Sequence, residues 1–116
     1  MIIHGGINMQ INASGKNLIV KIDGDIDHHV SMQIKEKIER EFKLLNCANI
    51  IFDFSNVKFM DSSGIGMIIG RYKMLEKLGG KIYITNVNEK LNSIIEISGL
   101  KKIIGFYDSV EKALKN

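Results

Sequence analysis

Asp61-Ser62-Ser63-Gly64-Ile65-Gly66 is the stretch of this chain whose residue types and spacing point to chemistry. It follows an apolar, strand-like run and leads directly into a helical one. Ser62 and Ser63 place two hydroxyls where the first N–H groups of a helix have no intrahelical partner. That end of a helix also carries partial positive charge, so a phosphate on either hydroxyl is tolerated. Gly64 and Gly66 remove side chains, which lets a second backbone or a partner's active site approach closely. Read alone, Asp-Ser-Ser before an apolar run is an ordinary helix cap. Glycine early in a helix, however, costs up to about 1 kcal/mol against alanine, and a purely structural cap has no need of two.

Other reactive arrangements fail on inspection. Ser62 does not lie in a G-x-S-x-G elbow, and no histidine follows it as the hydrolase order requires. There is no G-x-x-x-x-G-K-[ST] phosphate loop. His28 and His29 are adjacent, so on a helix they point about 100° apart and do not pair as metal ligands. Their other reading is a polar helix start close to the Ser62 loop, adding to a partner surface. A nucleotide-hydrolysing reading of the glycine-containing loop lacks a base, a metal cluster and a placed lysine.

The elements that position these residues follow from hydrophobic spacing. Ile7-Asn8-Met9-Gln10-Ile11 and Leu18-Ile19-Val20-Lys21-Ile22 read as strands joined by a turn at Ala13–Asn17. Gly24-Asp25-Ile26-Asp27 ends the second strand, with Asp27 as the N-cap of a helix. That helix carries Val30, Ile34, Ile38, Phe42 and Leu45 on one face. Ile50–Phe54 is a nearly continuous apolar strand suited to a sheet centre.

After a loop from Ser55 to Asp61 comes a second helix, stopped by Gly79-Gly80. Its stripe of Ile65, Ile68, Ile69, Tyr72, Leu75 and Leu78 predicts an outward face of Gly66, Met67, Gly70 and Met74. Two methionines around small residues, beside a modifiable serine, read as an adaptable docking surface. Lys81–Thr85 predicts a strand, Leu91, Ile94 and Ile95 a helix ending at Gly99, and Ile103–Tyr107 a last strand. Asp108 is expected to cap a final helix with Val110, Ala113 and Leu114. The order is ββαβαβαβα: an α/β domain with a mixed, largely parallel sheet and helices mainly on one side.

Composition bounds the partners. A chain of 116 residues without proline, repeats or low-complexity tracts predicts one domain over 1–116. The net charge of +3 is spread from Lys16 to Lys115 with no interleaved aromatics, so nucleic-acid binding is not expected. Cys47 is the single cysteine, which rules out an intrachain disulfide and fits a reducing compartment. Met1–Gly6 is too short and uncharged for a signal peptide, and Ile65–Gly70 is too short to span a membrane. A cytoplasmic location is expected.

Gly24-Asp25-Ile26-Asp27-His28-His29, Phe59–Gly66, Gly70-Arg71-Tyr72-Lys73 and Ser98-Gly99-Leu100 together resemble the anti-sigma factor antagonists of the STAS domain family. The likeness runs over nearly the whole chain. Asp-His-His and Gly-Arg-Tyr-Lys are similar to the sporulation, anti-sigma F branch, although Asp25 stands where Glu is more common. The resemblance implies a partner-switching cycle and no enzyme activity in this chain. The unmodified protein binds an anti-sigma factor that is also a serine kinase, and so frees the sporulation sigma factor. The kinase phosphorylates the first serine of the motif, here Ser62, which ends the binding, and a serine phosphatase restores the hydroxyl. ATP and magnesium belong to the kinase, and this chain is expected to need no cofactor. Asp27, Asp61, Ser63, Gly64, Gly66, Met67, Gly70 and Met74 are the expected partner-binding residues. Related STAS proteins act in general stress or other pathways, which stays open as the alternative.

Overall fold

The computed structural model describes residues 8–115. Five strands form one sheet in the order β1-β2-β3-β4-β5: β1 (Asn8–Ser14), β2 (Asn17–Asp23), β3 (Asn49–Asn56), β4 (Ile82–Thr85) and β5 (Gly105–Tyr107). Only the β1–β2 pair is antiparallel. The helices are α1 (His28–Leu44), α2 (Ser62–Lys77), α3 (Glu89–Ser98) and α4 (Val110–Leu114). The architecture read from the sequence is the one observed, down to the order of elements. The Met1–Gly6 reading and the strand start at Ile7 lie outside the described residues.

The β1–β2 turn is tighter than the sequence reading. Gly15 and Lys16 alone connect the strands, and Gly15 takes a φ of +60°, the left-handed conformation that a two-residue hairpin requires. Alternation along the strands separates the sheet's two faces. Leu18, Val20, Ile22, Ile50, Phe52, Phe54, Ile82 and Ile84 are all buried on the face covered by α1, α2 and α3. Ile51, between Ile50 and Phe52, is fully buried on the reverse face, where α4 packs across β3, β4 and β5 with Ala113 buried.

Two ends differ from expectation. The final strand holds only Gly105–Tyr107, because Leu100–Lys102 closes into a 3-10 turn after Gly99 at φ +79°. The last helix is capped by Ser109, which accepts from Lys112 N, and not by Asp108. Asp108 instead takes the Lys112 ammonium at 3.2 Å.

Candidate functional site

Gly24 makes the geometry of the site possible. Its φ of +126°, open essentially to glycine alone, follows a shift in the β2–β3 register and turns the chain while its N–H still reaches Asn56 O at 3.1 Å. The two strand-to-helix connections then run on side by side. Ile26 and Met60 form a parallel bridge, with Ile26 N donating to Phe59 O at 3.0 Å and Asp61 N donating to Ile26 O at 3.1 Å. Each connection ends in an aspartate cap. Asp27 Oδ1 accepts from Val30 N at 2.9 Å, and Asp61 Oδ1 accepts from Ser63 N at 2.9 Å and Gly64 N at 3.4 Å. Asp27, expected beside the Ser62 loop, is there.

Ser62 is the first residue of α2 and is exposed; Ser63 is half-buried behind it. Asp61 answers the backbone N–H groups of the first turn, so the Ser62 hydroxyl is not needed as the cap. The residue is exposed at the positive end of a helix that has no acidic residue in its first turn. A group added to an exposed residue here need displace no packed side chain.

Of the helical face expected to point outward, only Gly66 is exposed. Met67 is 7% exposed, and Gly70 and Met74 are half-buried. α1 and α2 lie side by side on one sheet face, so α2 has two neighbours to bury against, and a wheel centred on isoleucines finds only the sheet. Met67, Gly70 and Met74 belong to the arc turned toward α1, while Leu45 and Leu78 at the far ends stay exposed at 43% and 69%.

Gly64 is also corrected. A Cβ there would run into Met60 Cγ and Sδ and reach Ile26 Cγ2 at 3.0 Å, so its bareness serves internal packing. At Gly66 an added Cβ meets nothing within 4 Å, and this glycine alone of the pair faces open space.

A groove of about 300 Å³ runs between the first halves of α1 and α2, lined by His28, Ser31, Met32, Lys35, Ser63, Gly66, Met67, Gly70 and Arg71. It starts one residue from Ser62 and contains no carboxylate. A larger cavity of about 680 Å³ lies at the other end of the same helices, lined by Phe42, Cys47, Met74 and Leu78 among others. Met74, the nearest α2 residue lining it, is twelve residues and so about 18 Å along the helix from Ser62, which leaves it outside the serine's surroundings. Sequence reasoning missed Arg71 as a buried residue, 7% exposed and paired with Glu39 across the helix interface. The available signal was its spacing, three and four residues beyond Ile68 and Met67 and four before Leu75.

Comparison with known proteins agrees with this geometry. Residues 8–113 match the family model for the STAS domain. An anti-sigma F factor antagonist of Paenibacillus polymyxa is 36% identical over 110 residues, covering 93% of this chain and 94% of the relative. An anti-sigma-B factor antagonist of Bacillus subtilis is 32% identical over 102 residues, covering 84% and 88%. The anti-sigma factor antagonist SpoIIAA, solved in its unphosphorylated form, superposes with a TM-score of 0.75 at 25% identity, covering 92% of this chain and 94% of that one. The phosphorylated Bacillus SpoIIAA gives 0.72 at 28% identity, covering 93% and 97%.

Proposed function

This chain belongs to the STAS domain family as an anti-sigma factor antagonist, and from that premise we propose that it serves the sporulation sigma F branch and is switched by phosphorylation of Ser62. Unmodified, it binds an anti-sigma factor that is a serine kinase and so liberates the sigma factor. It performs no chemistry of its own: it supplies an acceptor hydroxyl, while ATP and magnesium are held by the kinase, and a phosphatase reverses the modification. The cycle is cytoplasmic, and no helix among the described residues is long and apolar enough to cross a membrane.

The observation that carries this reading is the exposure of Ser62 at the first position of α2, directly after a cap that does not use it. A phosphate there adds about −1.5 to −2 charges beside Asp61, with Asp27 on the neighbouring connection. The helix N-terminus offsets that charge in the free protein. Within a docked interface the same charge has lost its water, and a penalty of only about 1.4 kcal/mol lowers affinity tenfold. No large conformational change is required.

Gly66 and the exposed shoulder around Ser62 form the contact surface in this reading, with Asp27, Asp61 and Ser63 at its rim. Gly64, Met67, Gly70 and Met74 support it from beneath or from the α1 side.

The test combines binding with mass spectrometry. Ser62→Ala is expected to bind the kinase and gain no mass on incubation with ATP, and Ser62→Asp to bind poorly. Peptide mapping that finds phosphate on Ser63 would move the site by one residue. Failure of the unmodified protein to bind any anti-sigma factor would overturn the function.

The Bacillus subtilis relative favours a second reading, antagonism of an anti-sigma-B factor. Parallel affinity measurements with anti-sigma F and anti-sigma-B factors separate the two.

A further inference from the structure

Arg71 holds a fixed positive charge that its surroundings answer only in part. Its side chain is 8% exposed, and Nη2 meets a single oxygen, Glu39 Oε2, at 3.3 Å, on a carboxylate that is itself 42% exposed. Nε and Nη1 are buried and have no acceptor among the described residues. A guanidinium cannot discharge by losing a proton, and an unmet buried donor costs about 1–3 kcal/mol. Methionine would fill the same space between the helices without that cost, so packing gives no reason for an arginine here.

The groove beside Arg71 gives one. Arg71 forms part of its wall, Lys35 and His28 stand on the α1 side, and the hydroxyls of Ser31 and Ser63 complete the polar lining. No acidic side chain lines it. Gly66 and Gly70 keep it open, since a Cβ at either position would touch nothing within 4 Å.

We infer that this groove is a binding site for a phosphate-type oxyanion, anchored by Arg71 with Lys35 as the second cation. An entering anion competes with Glu39 for the guanidinium. Half-exposed and held by one contact, Glu39 can turn to water at little cost, and the guanidinium, released from it, can rotate toward the groove and bring its buried, unpartnered nitrogens to an acceptor. Charge-assisted contacts of this kind are roughly twice as strong as neutral ones. The site does not depend on modification of Ser62 or on the identity of the kinase.

The experiment is a titration of the ¹⁵N-labelled full chain with inorganic phosphate, reading the Arg71 Nε–Hε resonance, against sodium chloride at matched ionic strength. A saturable phosphate-specific shift is expected. Lys35→Ala should weaken binding about tenfold, the worth of one charge-assisted contact, and Arg71→Met should abolish it. Lys35 is exposed, so its removal tests the site even if Arg71→Met folds poorly. O-phosphoserine in a parallel titration distinguishes the source: equal affinity points to the free ion, tighter binding to a phosphoryl group carried on a larger molecule. A shift that chloride reproduces, or phosphate affinity unchanged in Lys35→Ala, would overturn the inference.

Discussion

Ile26 and Met60 pair as an isolated parallel bridge beyond the ends of β2 and β3, and this pairing sets the N-caps of α1 and α2 next to each other. The sheet thereby delivers Asp27, Asp61 and Ser62 to one edge from residues more than thirty positions apart in sequence. Neither aspartate would be well placed without the bridge, because each directly follows a bridge partner, Ile26 or Met60.

The caps themselves can be weighed. Asp61→Ala removes the acceptor for Ser63 N and Gly64 N, and Asp27→Ala that for Val30 N. Each is expected to cost about 0.5–2 kcal/mol in urea denaturation. Asp61→Asn keeps an acceptor oxygen and should retain most of the stability. With the carboxylate gone, a phosphate on Ser62 should also lose less kinase affinity than it does beside Asp61, a difference read by comparing phosphorylated and unphosphorylated forms of both proteins.

The two glycines of α2 predict opposite outcomes. Gly64→Ala forces Met60, 1% exposed and unable to move into solvent, to give way, for an overpacking cost of about 1–3 kcal/mol. Gly66→Ala meets open space and replaces a poor helix former, so it should gain up to about 1 kcal/mol. If kinase docking needs a bare backbone at this position, Gly66→Ala will be the more stable protein and the weaker binder. Denaturation and binding of the same two variants separate the effects.

What the sequence disclosed and what it hid divide along physical lines. Alternation and helical spacing are local signals, and they give β1 to β4, the helix stripes short of Leu45 and Leu78, and the Asp27 cap. The burial of Met67 and Arg71 depends on α1 lying beside α2, a tertiary fact; the spacing of Arg71 to Ile68 and Leu75 is its one local trace, and the charge of the side chain masks it. Gly64 misleads for the same reason: its neighbour is Met60 across a turn, so the absent side chain serves the interior and not a visitor. Ser109 displaced Asp108 as the last cap because both residue types suit that position, and spacing alone cannot choose between them.

Cys47 should be a slow thiol. Burial raises its pKa above the ordinary thiol value, with Lys16 opposing in part, and the thiolate is the reactive form. Below the pKa of the unfolded chain both states keep the proton and this group is neutral for stability. As pH rises through that value only the unfolded chain ionises readily, so stability falls across the alkaline range. Alkylation by iodoacetamide at neutral pH is expected to lag well behind that of the urea-unfolded chain; equal rates would contradict the burial.

The Glu39–Arg71 pair should respond asymmetrically to losing either partner. Arg71 is buried and Glu39 is not, so Glu39→Ala strands a guanidinium between two helices with Nη2 joining Nε and Nη1 as unanswered donors. That change is expected to cost about 1–3 kcal/mol, more than an exposed ion pair returns. Arg71→Met removes the charge and keeps an unbranched apolar stem along Met67 and Leu75, leaving Glu39 free to hydrate. Stability within about 1 kcal/mol of the parent, or above it, is the expected result. Guanidinium chloride would screen the very interaction in question, so the comparison belongs in urea, at low and high salt. Equal losses for the two variants would mean that the pair acts as a surface contact and that the burial of Arg71 is without energetic consequence.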